Sequence, residues 1–350
     1  MMRAMNVLGI ETSCDETAAA VVSGGRQVRS NVVLSQVALH RPYGGVVPEI
    51  ASRHHVETLP GAVAQALEAS GLGWGDIDAV AVTYGPGLAT SLLVGLALAK
   101  GLALSLEKPL AAINHIEAHI YSPFLSADAP APEEVCPFLA LVVSGGHSLL
   151  ARVDGLGRYR VLGQTIDDAA GEAFDKGAKL LGLGYPGGPA IERAAQGGDR
   201  RHVRFPRGRQ RRGRSRFYGL DADLCFSFSG VKTALLYYLK EHPAADAAAV
   251  ASVAASYEEA LVDALAARCE RALRGLRCLA VGGGVALNRR LRERLAEVAA
   301  AHGARLLLPE PRYCADNAAM IAGLAAAGRG VWGAEALALD ANPSLELAPA

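Results

Sequence analysis

Val7-Leu8-Gly9-Ile10-Glu11-Thr12-Ser13-Cys14-Asp15-Glu16-Thr17-Ala18-Ala19-Ala20-Val21-Val22 reads as a hairpin. Residues 7–10 form an apolar strand, 11–17 a polar turn, and 18–22 the return strand. A matching unit lies further along the chain. There Leu139-Ala140-Leu141-Val142-Val143 enters the turn Ser144-Gly145-Gly146-His147-Ser148, and Leu149-Leu150-Ala151-Arg152-Val153 leaves it. Two such units predict two similar lobes. Between and after them, residues 54–69, 91–106, 247–273, 286–301 and 316–327 carry helical patterns, while 278–281 and 305–308 read as strands. Strands alternating with helices imply an α/β fold. Residues 331–350 contain Pro343 and Pro349 and little periodicity, which predicts a loosely held tail.

The 350 residues are 51% hydrophobic, enough for a substantial core, and allow one large domain or two medium ones. Six cysteines are scattered without Cys-x-x-Cys spacing, which fits reduced thiols in a cytoplasmic protein better than a disulfide framework. Residues 92–106 are interrupted by Lys100 and Gly101 and are too short for a membrane span. Thirty-five basic and thirty-five acidic residues cancel overall. Residues 200–216 depart from that balance with nine arginines and no acid. Such a run is either a solvated loop or a phosphate-backbone contact, and Phe205, Phe217 and Tyr218 beside it favour nucleic acid. Arg207, Arg209, Arg211, Arg212, Arg214 and Arg216 are the candidate nucleic-acid contacts.

Four glycine turns punctuate the chain: Gly85-Pro86-Gly87, Ser144-Gly145-Gly146, Tyr185-Pro186-Gly187-Gly188-Pro189 and Gly282-Gly283-Gly284. Glycine lets backbone N–H groups approach a phosphate, so together the turns favour a nucleotide site. No Walker lysine motif and no Gly-x-Gly-x-x-Gly after the first strand is present, which disfavours P-loop and dinucleotide folds. Asp175 and Glu192 flank the third turn as possible ribose acceptors or plain surface charges.

Asn114-His115-Ile116-Glu117-Ala118-His119 places two imidazoles at i and i+4, on one helix face, where both can reach one metal ion. A zinc-protease helix carries its general base directly after the first histidine. Ile116 stands there, and Glu117 lies about 200° around the helix from either ring. Asp316, at the start of the last helix, is either a cap or a third, oxygen ligand. Two histidines and one carboxylate leave coordination positions open, the mark of a reactive rather than a structural site.

Jointly these motifs closely resemble the TsaD (YgjD, Gcp) family of tRNA N6-adenosine threonylcarbamoyltransferases, over about residues 7–327. The matching stretches include Gly9-Ile10-Glu11-Thr12-Ser13-Cys14-Asp15-Glu16-Thr17, Gly45-Val46-Val47-Pro48-Glu49, His115-Ile116-Glu117-Ala118-His119 and Val143-Ser144-Gly145-Gly146-His147. Phe226-Ser227-Phe228-Ser229-Gly230-Val231-Lys232-Thr233, Gly282-Gly283-Gly284-Val285-Ala286-Leu287-Asn288 and Asp316-Asn317-Ala318-Ala319-Met320 extend the match. The noncatalytic paralogue TsaB shares the fold but lacks the paired histidines.

The resemblance implies an actin/Hsp70/sugar-kinase (ASKHA) fold, two lobes around a nucleotide cleft. The first lobe is expected over 1–120, completed by a C-terminal helix at about 305–330; the second spans 121–304. It implies that His115, His119 and Asp316 hold one divalent metal, iron in preference to zinc. The donor, threonylcarbamoyl-AMP, is expected at Val142, Val143, Ser144, Gly145, Gly146, Asp175, Gly188, Glu192 and Asn288. Many relatives have Asp at the Glu192 position. Relatives usually carry fewer basic residues before the Phe-Ser-Phe-Ser-Gly motif, so the expected role of the arginine run in tRNA binding rests on its charge and is not carried over from the family. The implied partners are tRNA, a TsaB-like paralogue, a TsaE-like ATPase and a TsaC-type synthase. No general base is identifiable; His147 is a candidate by location alone. A metal-dependent glycoprotease and an ATPase or kinase of the same fold are the rival functions.

Overall fold

The computed structural model describes residues 4–125, 128–207, 216–243 and 246–347. It comprises two compact units, Met1–Pro132 with Pro309–Ala348, and Glu133–Leu308 with Pro349–Ala350.

The first unit is built on β1 (Asn6–Glu11), β2 (Glu16–Ser23), β3 (Gln27–Ser35), β4 (Ala79–Gly85) and β5 (Leu110–Asn114). β1 pairs antiparallel with β2, and β2 with β3; on its other side β1 runs parallel to β4, and β4 to β5. Alternation along β1 decides what each face meets. Leu8 and Ile10 enter a core with Leu59, Val63, Leu96 and Ala99 from helices Pro48–Ser70 and Ala89–Ser105. Gly9 faces helix Ala318–Ala326. A Cβ on Gly9 would lie 2.4 Å from the Ala318 carbonyl oxygen and 2.9 Å from the Ala322 Cβ, so the helix rests directly on bare backbone.

The second unit repeats this plan with β6 (Phe138–Val143), β7 (Ser148–Gly155), β8 (Arg158–Gln164), β9 (Cys278–Gly282) and β10 (Arg305–Leu307). β6–β7–β8 is again an antiparallel meander, and β6 again runs parallel to β9, and β9 to β10. The strand order is the same in both units, 3-2-1-4-5 counted within each. The hairpin repeat seen in the sequence is therefore a repeat of topology.

Several expectations are corrected. The units divide at 132/133 and 308/309, not at 120/121 and 304/305. Phe124 and Leu125 are buried in the first unit, while β10 pairs with β9 in the second. Residues 331–347 are not a loose tail. Val331–Trp332 pair antiparallel with β5, Ala336 of helix Gly333–Ala338 is fully buried, and the Asn342 N–H donates to the Tyr84 carbonyl at 2.8 Å. The segment is too short to display a period, so its few apolar anchors form no visible pattern. The helix expected from 286 begins at Arg289, after a 3-10 turn Gly284–Leu287. All six cysteines are free thiols, and no described helix is long and apolar enough to cross a membrane.

Candidate metal centre and ligand turns

β5 ends at Asn114, whose side-chain oxygen accepts from the N–H groups of Ile116 (2.9 Å) and Glu117 (3.2 Å). That cap starts helix His115–Tyr121 at the first histidine. Both rings lie on its buried face, with centroids 4.6 Å apart. At the far end of the chain Asn317 takes the capping role, accepting from the Met320 N–H at 3.1 Å. Asp316 is thereby released to turn inward. Its Oδ1 lies 3.0 Å from His119 Nε2 and 3.5 Å from His115 Nε2. One ligand atom from each of the three residues falls within 4.8 Å of the others.

A fourth residue, which the sequence patterns do not single out, completes the cluster. Glu11 ends β1 with no solvent exposure, and its Oε2 lies 3.1 Å from His115 Nδ1. Burial opposes a charged imidazole at His115, but the Glu11 and Asp316 carboxylates overcome it and raise the ring to about 10. Burial likewise opposes the charge of Asp316, and the two histidines prevail, holding it well below the usual carboxylate range. His119, pressed by burial and by His115, is pushed down. The carboxylates thus stabilise positive charge where the nitrogens converge. Two ring nitrogens and one carboxylate oxygen around such a point suit iron or zinc with open positions. Glu117 turns away, its carboxylate 3.6 Å from the Arg329 guanidinium, and supplies no base to the site.

In the second unit the expected ligand residues form a chain of contacts at the ends of β6 and β9. Gly282 is in register with Val142, and a Cβ on Gly283, at φ +95°, would meet the Val143 carbonyl at 2.2 Å. The Ser144 carbonyl accepts from the Gly171 N–H at 3.1 Å, at the start of helix Ala170–Leu180. Asp175 in that helix accepts from the Gly187 N–H at 2.6 Å, at the start of helix Gly187–Ala194. Glu192 in turn accepts from the Arg289 N–H at 3.1 Å. Space is open in front of Gly145, Gly146 and Gly188, where a ligand can approach the backbone. Asn288 is buried and largely committed. Its oxygen caps helix Arg289–Ala301 at the Leu291 N–H (2.8 Å), and its amide donates to Glu258 at 2.7 Å. Glu258, also without a sequence signature, is a buried carboxyl raised by desolvation against the opposing Asn288 bond. His147 closes the turn through backbone, its N–H donating to Ser144 Oγ at 3.2 Å and its carbonyl accepting from the Ser144 N–H at 2.8 Å.

Of the candidate arginines, Arg207 is mostly exposed and pairs with Asp263 at 2.9 Å, and Arg216 is exposed at the start of a short hairpin. Arg209, Arg211, Arg212 and Arg214 lie outside the described residues. Arg200, Arg207 and Arg290 line a polar pocket of about 890 Å³ together with Glu192, Glu258 and Glu259.

Two α/β units of one shared strand order define a protein of the actin/Hsp70/sugar-kinase class. The fold is similar to full-length HypF in its phosphate- and nucleotide-bound form (TM-score 0.57, 12% identity, 94% of this chain and 47% of that one). It is also similar to component A of the Acidaminococcus fermentans (R)-2-hydroxyglutaryl-CoA dehydratase (TM-score 0.53, 12% identity, 92% and 99%). Residues 27–323 match the family model described as TsaD: tRNA N6-adenosine threonylcarbamoyltransferase, and the chain belongs to that family. It is 52% identical over 320 residues to the tRNA N6-adenosine threonylcarbamoyltransferase of Geobacter sp. (strain M21), covering 91% of this chain and 90% of that protein. It is 53% identical over 321 residues to the same-named protein of Anaeromyxobacter sp. (strain Fw109-5), covering 91% and 92%.

Proposed function

We propose that this chain transfers the threonylcarbamoyl group of threonylcarbamoyl-AMP to N6 of the adenosine adjacent to the anticodon, in tRNAs reading codons that begin with A. Membership of the threonylcarbamoyltransferase family over residues 27–323 carries this reading. The reaction is acyl transfer from a mixed anhydride. AMP is a good leaving group, so binding and orientation suffice without a serine or cysteine nucleophile. The open backbone at Gly145, Gly146 and Gly188 is suited to the AMP portion, with Asp175 and Glu192 nearby in the same chain of contacts. His115, His119 and Asp316 would hold one divalent metal, iron in preference to zinc. Bound there, it supplies a Lewis acid with open positions. Asp316 and Glu11 would balance its charge, and the buried rings would present Nε2 to it.

A cytoplasmic location follows from the tRNA substrate. A TsaB-like paralogue, a TsaE-like ATPase and a TsaC-type synthase are the proposed partners. A protease reading is opposed by the turn of Glu117 toward Arg329.

The test is reconstitution with tRNA, threonine, bicarbonate, ATP, the synthase and the partner proteins, followed by nucleoside mass spectrometry. No threonylcarbamoyladenosine, under conditions where a relative's enzyme makes it, would sink the reading. For the metal, the double variant His115→Ala/His119→Ala should lose bound metal and keep its fold. Undiminished metal content would remove the assignment.

A further inference from the structure

We infer that Glu11 is the positioning residue of the metal centre: it holds His115 in the one tautomer able to bind a metal through Nε2. The inference rests on the reading of His115, His119 and Asp316 as ligands. It concerns a residue that contributes no atom to that set.

Glu11 has no solvent exposure, and its two oxygens have separate duties. Oε1 accepts from the Ser13 N–H at 2.5 Å. A backbone N–H can only donate, so whatever atom occupies the Oε1 position must be an acceptor. Oε2 accepts from Thr83 Oγ at 2.5 Å and lies 3.1 Å from His115 Nδ1. An ionised carboxylate can only accept, so the proton between them sits on Nδ1. Asp316 faces Nε2 at 3.5 Å, so the metal-free ring carries both protons, and a metal displaces the one on Nε2 while Glu11 keeps the one on Nδ1. Histidine ligands are commonly oriented by a partner on the other ring nitrogen, and losing that partner costs metal affinity. The two histidines differ in this respect. His119 Nδ1 is buried without a hydrogen-bond partner among the described residues, so the carboxylate control falls on His115.

The rival partner is Ser13 Oγ, 3.3 Å from the same Nδ1. A hydroxyl both donates and accepts, so it imposes no tautomer.

Glu11→Gln separates positioning from packing because the shape is kept. The Ser13 N–H fixes the amide oxygen at the Oε1 position, so the amide nitrogen must face Thr83 and His115. That nitrogen donates, His115 Nδ1 becomes an acceptor, and the ring proton moves to Nε2, facing the metal. The Ser13 bond is kept and the Thr83 and His115 contacts reverse direction, so the shape is kept while the ligand is turned off.

The experiment is a competition titration of Zn2+ against a chromophoric chelator, on full-length protein stripped with EDTA, alongside thermal melts of the metal-free forms. Glu11→Gln removes a buried charge beside His115, so it should melt below wild type without metal and bind zinc about 10- to 100-fold more weakly. Ser13→Ala should stay within about threefold of wild type. Glu11→Gln binding zinc as wild type does, or Ser13→Ala losing as much, overturns the inference while the metal reading stands. If wild type itself binds no zinc, both fall. Should Glu11→Gln fail to fold, the same question is put to zinc-loaded wild type by 15N NMR of labelled histidine. A proton on His115 Nδ1 supports the inference, and an unprotonated Nδ1 refutes it.

Discussion

Replacing Gly9 by Ala would test how the first unit holds Asp316 against the histidines. The new Cβ would sit 2.4 Å from the Ala318 carbonyl oxygen and 2.9 Å from both the Ala322 Cβ and the Ala322 nitrogen. Two of these are backbone atoms, which cannot swing aside as a side chain can. Reaching an ordinary contact distance requires helix Ala318–Ala326 to lift off β1 by about 1 Å. Overpacking of this kind costs about 1–3 kcal/mol. For a unit of this size each kcal/mol lowers the melting temperature by about 2–4 °C. The second effect is local. Asp316 lies two residues before Ala318, and its Oδ1 is held 3.0 Å from His119 Nε2. A site tolerates displacements of only about 0.5 Å before its geometry is lost. Zinc affinity should therefore fall by about tenfold or more, which corresponds to about 1.4 kcal/mol. Gly61 provides the control. It is an exposed glycine inside helix Pro48–Ser70 with nothing within 4 Å of its added Cβ. Gly61→Ala should stabilise by about 0.5–1 kcal/mol. Thermal melts with EDTA and with excess zinc, plus the chelator competition, read both effects. A Gly9→Ala protein that melts as wild type does and binds zinc equally well would refute the close packing and its link to Asp316.

In the second unit, Gly146→Val should fill the open space before the turn, abolishing donor binding while tRNA binding persists; the reverse pattern in separate affinity measurements would assign the turn to the wrong ligand. Asn288→Ala should cost about 1 kcal/mol of stability through the missing helix cap, read by denaturant titration. Neutralising four of the arginines at 207, 209, 211, 212, 214 and 216 should flatten the salt dependence of tRNA binding, by roughly one log–log unit for each phosphate that is no longer neutralised. An unchanged slope would mean a solvated run. Asp168, though burial raises its carboxyl, is held below its usual range by Lys176 at 2.8 Å and Lys232 at 3.4 Å. A depressed carboxylate stabilises above its unfolded pKa and loses that contribution as pH falls through the folded value. Asp168→Asn should therefore cost about 1 kcal/mol or less at pH 7 and approach zero cost in acid, which melts across pH 2–7 would show.

What can be read from the residues follows their periodicity. The hairpins at 7–22 and 139–153 announce themselves because both strands are buried and both turns are polar, and the His115/His119 pair because four residues make about one helix turn. Asp316 is ambiguous in sequence, as cap or ligand. In the structure its neighbour Asn317 makes the cap, and Asp316 turns toward the two histidines. Glu11 and Glu258 escape notice because a single carboxylate beside an apolar run has no period. The available signal is physical: a charge at the end of a buried strand needs partners, and Glu11 finds them in Ser13, Thr83 and His115. Residues 331–347 defeat the pattern for a related reason, being anchored by scattered apolar residues instead of a repeating face.

The first unit is interrupted in sequence, and this has a consequence for how the protein is made. His119 and Asp316 are 197 positions apart, and residues 133–308 of the second unit are translated between them. At about 5–20 residues per second, the ribosome needs roughly 10–40 s to go from one to the other. During that interval the nascent chain carries paired imidazoles with no carboxylate from the segment before helix Ala318–Ala326, and β1 lies uncovered on the Gly9 side. On the proposed metal reading, loading waits until Asp316 has emerged. A chain terminated before Asp316 would present the paired histidines without that carboxylate, so on the proposed reading translation past helix Ala318–Ala326 is the checkpoint for the centre.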